Sequence, residues 1–359
     1  MSFGLRTERR HLFVEIITDK GIKGIGDTWT NFPAWAVDER KITLAGIKKV
    51  FIGKDPLKIN NIWADIDRKI IRSDIGLQYG SKGPVYQALS GIDIALWDII
   101  GKAYNVPVHQ LLGGAVHDRI HAYASGISAG DYQKRIPKCL EEGFSEFKVK
   151  VGFGEESDSS TLKAVRQEIG PAMLYADANQ KWKNAKKAAA EMRILGEYGI
   201  GFFEEPVHAN LHNEYKILKS SGNAVLAAGE NLYSRHEFHS YLREGLVDII
   251  QPDLTKCGGI TETWAVCEEA RLFNVKTALH MFGTAIGLAA SLNVMFASPQ
   301  ALSMEYDVLD NIMMTQLPKK TFYRLAKGCF TIEEELPGIG IELDLDFLNK
   351  YAVMVNSIN

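Results

Sequence analysis

The chain has 359 residues, 46% of them hydrophobic, which is enough for one large barrel and a smaller domain. Its 41 basic and 44 acidic residues leave a formal net charge of -3, which gives no electrostatic case for nucleic acid or an anionic membrane surface. The apolar stretches are short and interrupted by charge, so none can span a bilayer, and Arg6, Glu8, Arg9 and Arg10 come too early for a secretory leader.

The first segment, His11–Thr18, mixes apolar and β-branched residues. Turn signals at Asp19-Lys-Gly21 and Lys23-Gly24 then lead into Ile25–Trp29, which reads as a meander. Residues 36–72 carry helical apolar spacing, as at Ile42, Leu44, Ile47, Val50 and Phe51. Val85 to Tyr104 carries a stronger helical pattern through Ala88, Leu89, Ile92, Ala95, Leu96, Ile99 and Ile100. Pro107 and Gly113-Gly114 close this region and set a domain boundary near 114.

Beyond it, eight short apolar runs alternate with helical stretches such as Trp182–Tyr198. The runs are Ile120–Ile127, Phe147–Val151, Met173–Ala178, Gly201–Pro206, Val225–Gly229, Val247–Gln251, Lys276–Leu279 and Ala301–Met304. Fully apolar strands alternating with helices predict a parallel sheet covered on its outer face, and eight of them predict a (β/α)8-type barrel. After Phe322 the alternation stops. Cys139, Cys257, Cys267 and Cys329 have no CxxC spacing and read as reduced thiols of a cytoplasmic protein.

Each run from the second onward ends on a charged residue: Lys150, Asp177, Glu204, Glu230, Asp253, His280 and Glu305. They recur every 23 to 27 residues, about one βα unit, and so fall at one height on the C-terminal rim, where barrel chemistry occurs. Asp177, Glu204 and Glu230 on consecutive strands suit a hard cation such as Mg²⁺, which takes about six oxygen ligands. Any one of these acids alone also fits a solvated loop residue or a helix cap. Lys148 and Lys150 lie two apart and share a face. Two adjacent ammoniums depress each other's pKa, which would make one a base near neutral pH; the alternative is a pair of solvated strand-end lysines. Asp253 and His280 fall on adjacent strand ends, where a carboxylate fixes the imidazole tautomer and raises its basicity. Glu305, by spacing alone, is nearly as well explained as a surface acid.

Together these parts fit removal of a proton next to a carboxylate, with a divalent cation stabilising the enediolate that develops. Lys150 and His280 would face each other across the mouth. One would abstract the proton and the other would return it, or give it to a departing hydroxyl.

The residues resemble a known family. Over nearly its whole length the chain is similar to the enolase superfamily, mandelate racemase subgroup (mandelate racemase/muconate lactonizing enzyme-like, acid-sugar dehydratase-like). The stretch Ala88–Lys102 is similar to that group's helix signature at the domain junction, and Lys148-Val-Lys150 matches its KxK motif. The resemblance implies Lys150 as the base on one face, with Asp177, Glu204 and Glu230 holding one Mg²⁺ per active site. It implies a His280–Asp253 dyad on the other face, Glu305 hydrogen-bonded to the substrate carboxylate, and Asn179 near a substrate hydroxyl. The implied fold is a modified TIM barrel, (β/α)7β, over 115–318, with an α+β capping domain from 1–114 and a C-terminal segment, 319–359, returning to the cap. Capping loops at Thr28–Trp35 and Ser73–Lys82 would shape specificity. Trp29, Phe32 and Trp35 are then either pocket residues or packing between cap and barrel. The family's first strand has no counterpart before Ser2, so an edge strand is expected to be missing or the reading frame to start late. The family also implies a homo-oligomer, a dimer or octamer.

The leading expectation is a dehydratase of an aldonate or aldarate giving a 2-keto-3-deoxy acid. The absence of a histidine at 179, two residues past Asp177, points away from galactonate-type substrates. The alternatives are a racemase or epimerase of an α-hydroxy acid and an inactive barrel with a binding role.

Overall fold

The structure, a computed structural model, describes residues 9–73, 82–222 and 224–353. Strands β1 (Leu12–Ile17) and β2 (Lys23–Thr28) form an antiparallel hairpin, so Gly24 lies within a strand rather than in the turn the sequence suggests. The reason is its neighbour. A Cβ on Gly24 would sit 2.1 Å from the Ala95 carbonyl oxygen, and one on Gly26 would sit 1.9 Å from that of Gly91. The hairpin therefore packs backbone to backbone on the long helix Lys82–Tyr104, and only glycine fits. Gly26→Ala is expected to destabilise the fold by about 3 kcal/mol or more, because the clash is with backbone that cannot rotate away. Urea unfolding checks this, and a change under about 0.5 kcal/mol would contradict the packing.

The rest of the cap comprises helices Ala36–Ile47 and Ile59–Ile66, whose Ile47, Ile62 and Ile66 pack on Val85, Leu89, Ile92 and Leu96. Ile42 points outward, 70% exposed, so the apolar spacing there overstates the buried face. The second capping loop, 73–82, lies outside the described residues at 74–81.

Eight parallel strands form the barrel: β3 (Arg119–Ile127), β4 (Glu146–Lys150), β5 (Met173–Asp177), β6 (Ile200–Glu204), β7 (Leu226–Ala228), β8 (Ile249–Ile250), β9 (Lys276–Thr277) and β10 (Ser303–Asp307). They pair in chain order from β3 to β9. β10 closes the ring by pairing with β3 and, through a Thr277–Ala301 bridge, with β9. Seven helices connect them, from Tyr132–Glu141 to Ala285–Ala297, so the architecture is (β/α)7β. All thirteen residues of that last helix are buried, as expected of a segment apolar on every face.

The C-terminal tail contacts both the barrel and the cap-side helix. Its strands β12 (Tyr323–Ala326) and β13 (Cys329–Ile332) form a hairpin, and β13 pairs antiparallel with Arg119–His121 of β3. β3 is longer than β10, and the tail covers the edge of β3 that β10 leaves open. Contact with the cap-side helix is made by Ile339, whose N–H donates to Asp98 Oδ1 at 3.0 Å; Asp98 Oδ2 accepts from Ile25 N–H of the hairpin, also at 3.0 Å. Among the described residues the cysteines are all free, and no helix is long and apolar enough to cross a membrane.

Candidate active site

Side chains alternate along a strand, so residues two apart share the barrel interior. Tyr123, Tyr175, Phe202, Ala227, Ile249 and Ala278 form one interior layer, a dry plug in which Tyr175 and Phe202 stack at 4.0 Å. Two residues further along those strands come Ser125, Asp177, Glu204, Gln251 and His280, the polar rim above the plug. The β7 position breaks the rule. There Gly229, at φ 148, would place a Cβ 2.7 Å from the Gln251 backbone, and the left-handed turn hands the inward role to Glu230.

The rim residues form one hydrogen-bonded constellation. Lys148 Nζ donates to both Glu204 oxygens at 2.9 and 2.8 Å, and it lies 2.8 Å from Glu305 Oε1 and 3.8 Å from Asp177 Oδ2. Lys150 is ion-paired to Asp177 Oδ2, and Gln251 donates to Glu204 Oε2 at 2.7 Å. On the far side His280 Nδ1 lies 2.7 Å from Asp253 Oδ2, and its Nε2 lies 2.7 Å from Glu230 Oε2. Asp253 Oδ1 is fixed by the Thr255 N–H and hydroxyl at 2.8 and 2.6 Å. Glu305 also accepts from Ser125 Oγ and from Met281 N–H at 3.1 Å.

The net shift of each lysine is upward, not downward as the sequence suggests. Burial lowers the Lys148 pKa, but Glu204 and Glu305 outweigh it and hold the ammonium well above its usual range. Lys150 is also raised: burial and Lys148 work downward, and Asp177, Glu230 and Glu204 together outweigh them. Carboxylates facing each lysine decide the sign, and they come from other strands. His280 is raised in the same way, by Glu230, Glu305 and Asp253 against burial. Glu204, by contrast, is pushed up to about 8 by burial and by Asp177, beyond what Lys148 offsets.

The eight ladder and KxK residues, Lys148, Lys150, Asp177, Glu204, Glu230, Asp253, His280 and Glu305, thus meet at one mouth. Asn179 lies at its edge in a left-handed conformation, φ 42, with its N–H on Asp177 Oδ1 at 2.8 Å. Trp29 reaches the site: its ring is 5.8 Å from that of His280, and Lys256 Nζ sits 4.6 Å over it. Phe32 is partly buried beside Asn31, whereas Trp35 is 67% exposed and is no pocket residue.

Several buried polar groups escaped the sequence reading. Glu205, fully buried, accepts from Gln180 Nε2 at 2.9 Å and from Asn231 Nδ2 at 3.0 and 2.9 Å. Lys256 donates to Asn231 Oδ1 at 3.1 Å. These four lie one to three residues beyond ladder members, where position along a turn carries no period. Ser125 and Gln251 were accessible to the period-two rule, since each follows an interior apolar residue by two.

A family model described as mandelate racemase / muconate lactonizing enzyme, N-terminal domain, matches residues 1–113, and one described as enolase C-terminal domain-like matches 131–347. D-galactarolactone cycloisomerase of Agrobacterium fabrum is 33% identical, over 98% of this chain and 94% of its own. A D-galactonate dehydratase of Xanthomonas oryzae pv. oryzae is 32% identical, over 95% and 91%. The crystal structure of the 3,6-anhydro-D-galactonate cycloisomerase from Zobellia galactanivorans superposes with a TM-score of 0.87 at 30% identity, over 96% of this chain and 94% of that one. With both domain models matched and the barrel rim assembled as described, the chain belongs to the mandelate racemase/muconate lactonizing enzyme subgroup of the enolase superfamily.

Proposed function

We propose that the enzyme removes the α-proton of an acid sugar, an aldonate or aldarate, and expels the β-hydroxyl as water to give a 2-keto-3-deoxy acid. The observation that carries this reading is a pair of proton-handling groups on well-separated strands. Lys150 ends β4 and His280 follows β9, with the Lys148–Glu305 pair between them. One group accepts the α-proton. The C–H electron pair passes into the carboxylate as an enediolate and then returns to form the new C=C as the C–O bond breaks, while the opposite group, protonated, delivers its proton to the leaving oxygen. The resulting enol then ketonises. Asp253 holds the His280 ring by its Nδ1, which turns Nε2 toward the mouth, where it lies 2.7 Å from Glu230 Oε2. Glu305, held down to about 2 by Lys148 and His280 against burial, presents a fixed carboxylate to the mouth.

The residues also fit a divalent cation. Asp177, Glu204 and Glu230 make an all-oxygen donor set on three consecutive strand ends, the kind of set a hard cation takes. Lys148 pairs with Glu204, Lys150 with Asp177 and His280 with Glu230, and among the described residues no three ligating side chains converge on one point. When bound, Mg²⁺ would supply Lewis-acid stabilisation of charge developing on the substrate carboxylate.

A second reading is supported by the relatives named as cycloisomerases. The same proton abstraction would expel a ring oxygen instead of water, so that the product is an isomer of the substrate. D-galactonate belongs in the test despite the asparagine at 179, because 32%-identical relatives are named for it. The protein with Mg²⁺ is incubated in deuterated water with a panel of aldonates, aldarates and their lactones or anhydro forms. Formation of α-keto acid with water loss supports dehydration, and an isomeric keto acid supports cycloisomerisation. α-Deuterium wash-in alone points to racemisation, and no change across the panel sinks the acid-sugar reading.

A further inference from the structure

One cap segment reaches the loops that follow both members of the Asp253–His280 dyad. Asp27 lies near the end of β2, and Trp29 and Asn31 follow it directly. Asp27 Oδ2 accepts from Thr284 Oγ1 at 2.7 Å, four residues past His280. Asn31 Nδ2 donates to the Phe282 carbonyl, two residues past it. Between them Trp29 N–H donates to the Thr255 carbonyl at 3.0 Å, and Thr255 is the residue that fixes Asp253 Oδ1. From the barrel, Met281 N–H is held by Glu305 and the Gly283 carbonyl by Asn311 Nδ2 at 2.7 Å. Every residue from 281 to 284 is thus tied down, two of them by the cap. No comparable cap contact is seen for Lys150 among the described residues; its ion pair is to Asp177 of the barrel.

We infer that Asp27 and Asn31 are positioning residues for His280: they fix the 281–284 loop so that the imidazole stays aligned on Asp253 and the mouth. Asp27 is 2% exposed, and among the described residues it has no cationic partner at hydrogen-bond distance. Burial pushes its carboxyl up to about 7, while the Thr284 hydroxyl and the Thr28 and Thr284 backbone groups work against that shift. The cap would then complete one face of the reaction centre and leave the Lys150 face to the barrel. The inference rests on His280 acting as a proton carrier in the proposed reaction.

The test uses the Mg²⁺-loaded protein without substrate, followed by turnover. The ring ¹H and ¹⁵N resonances of His280 are assigned by their loss in His280→Asn. Asp27→Ala and Asn31→Ala are expected to shift or broaden them, whereas Asp27→Asn, whose amide oxygen still accepts from Thr284, should keep the wild-type spectrum. With a substrate from the panel, kcat should fall by about 10- to 100-fold in the alanine variants, with KM changed by less than about threefold. α-Hydrogen exchange on the Lys150 face should survive while that on the His280 face is lost. Unchanged His280 resonances in both alanine variants, or equal loss of exchange on both faces in folded protein, would overturn the inference. If Asp27→Ala does not fold, Asn31→Ala carries the same readouts. The spectra need no substrate, so a wild-type protein that turns over nothing fails the proposed function and not this assignment.

Discussion

His280→Asn is expected to lower kcat by about 10³-fold or more, because asparagine fills part of the ring's space but cannot carry a proton at neutral pH. The structure sharpens what should happen to the cation. His280 Nε2 lies 2.7 Å from Glu230 Oε2, so the imidazole competes for one of the three proposed ligands. Removing it frees Glu230, and Mg²⁺ affinity by calorimetry should stay within about tenfold of wild type or improve. α-Hydrogen exchange on the Lys150 face should persist, since the Lys150–Asp177 pair is on the other side of the mouth. A variant that turns over normally, or that loses Mg²⁺ binding, would contradict the division of roles proposed here.

Glu204→Gln is expected to do the reverse. Glu204 accepts from Lys148 with both oxygens and from Gln251, so the amide removes one proposed ligand and also leaves the buried Lys148 dependent on Glu305 and the more distant Asp177. Mg²⁺ should bind about 100-fold more weakly, a loss of about 2.7 kcal/mol. Turnover should fall with it, and excess Mg²⁺ should restore part of the activity. In Mg²⁺-free protein the His280 ring resonances should match those of Mg²⁺-free wild type, because the His280–Asp253 contact at 2.7 Å does not pass through Glu204. Wild-type Mg²⁺ affinity in this variant would remove Glu204 from the ligand set.

Much of the barrel could be read from the chain because its strands are apolar on both faces and its units have nearly constant length. All eight runs contain or overlap the observed strands, from Ile120–Ile127 in β3 to Ala301–Met304 in β10. The rim acids were found by the same regularity. Departures came where a local contact overrides the pattern. Gly24 looks like punctuation but is demanded by the Ala95 carbonyl, and Ile42 fits a helical face that nothing covers. Trp35 belongs to an aromatic-rich loop, yet only Trp29 of its two tryptophans reaches His280. Glu205, Asn231 and Lys256 are linked through turns whose geometry has no sequence period.

The sequence by itself determined the order of strands, the spacing of charges and hence which residues stand at one height on the rim. Those features depend on intervals along the chain, which periodicity reports directly. How these charges pair with one another and with Lys148 depends on the folded barrel. Lys148 between Glu204 and Glu305, and His280 between Asp253 and Glu230, join strands tens to more than a hundred residues apart. Their pKa directions follow from burial and from those neighbours, and neither is written in a two-residue motif. The same holds for the cap segment Asp27–Asn31. Its contact with the His280 loop spans about 250 residues of sequence and exists only because the hairpin lies across the barrel mouth.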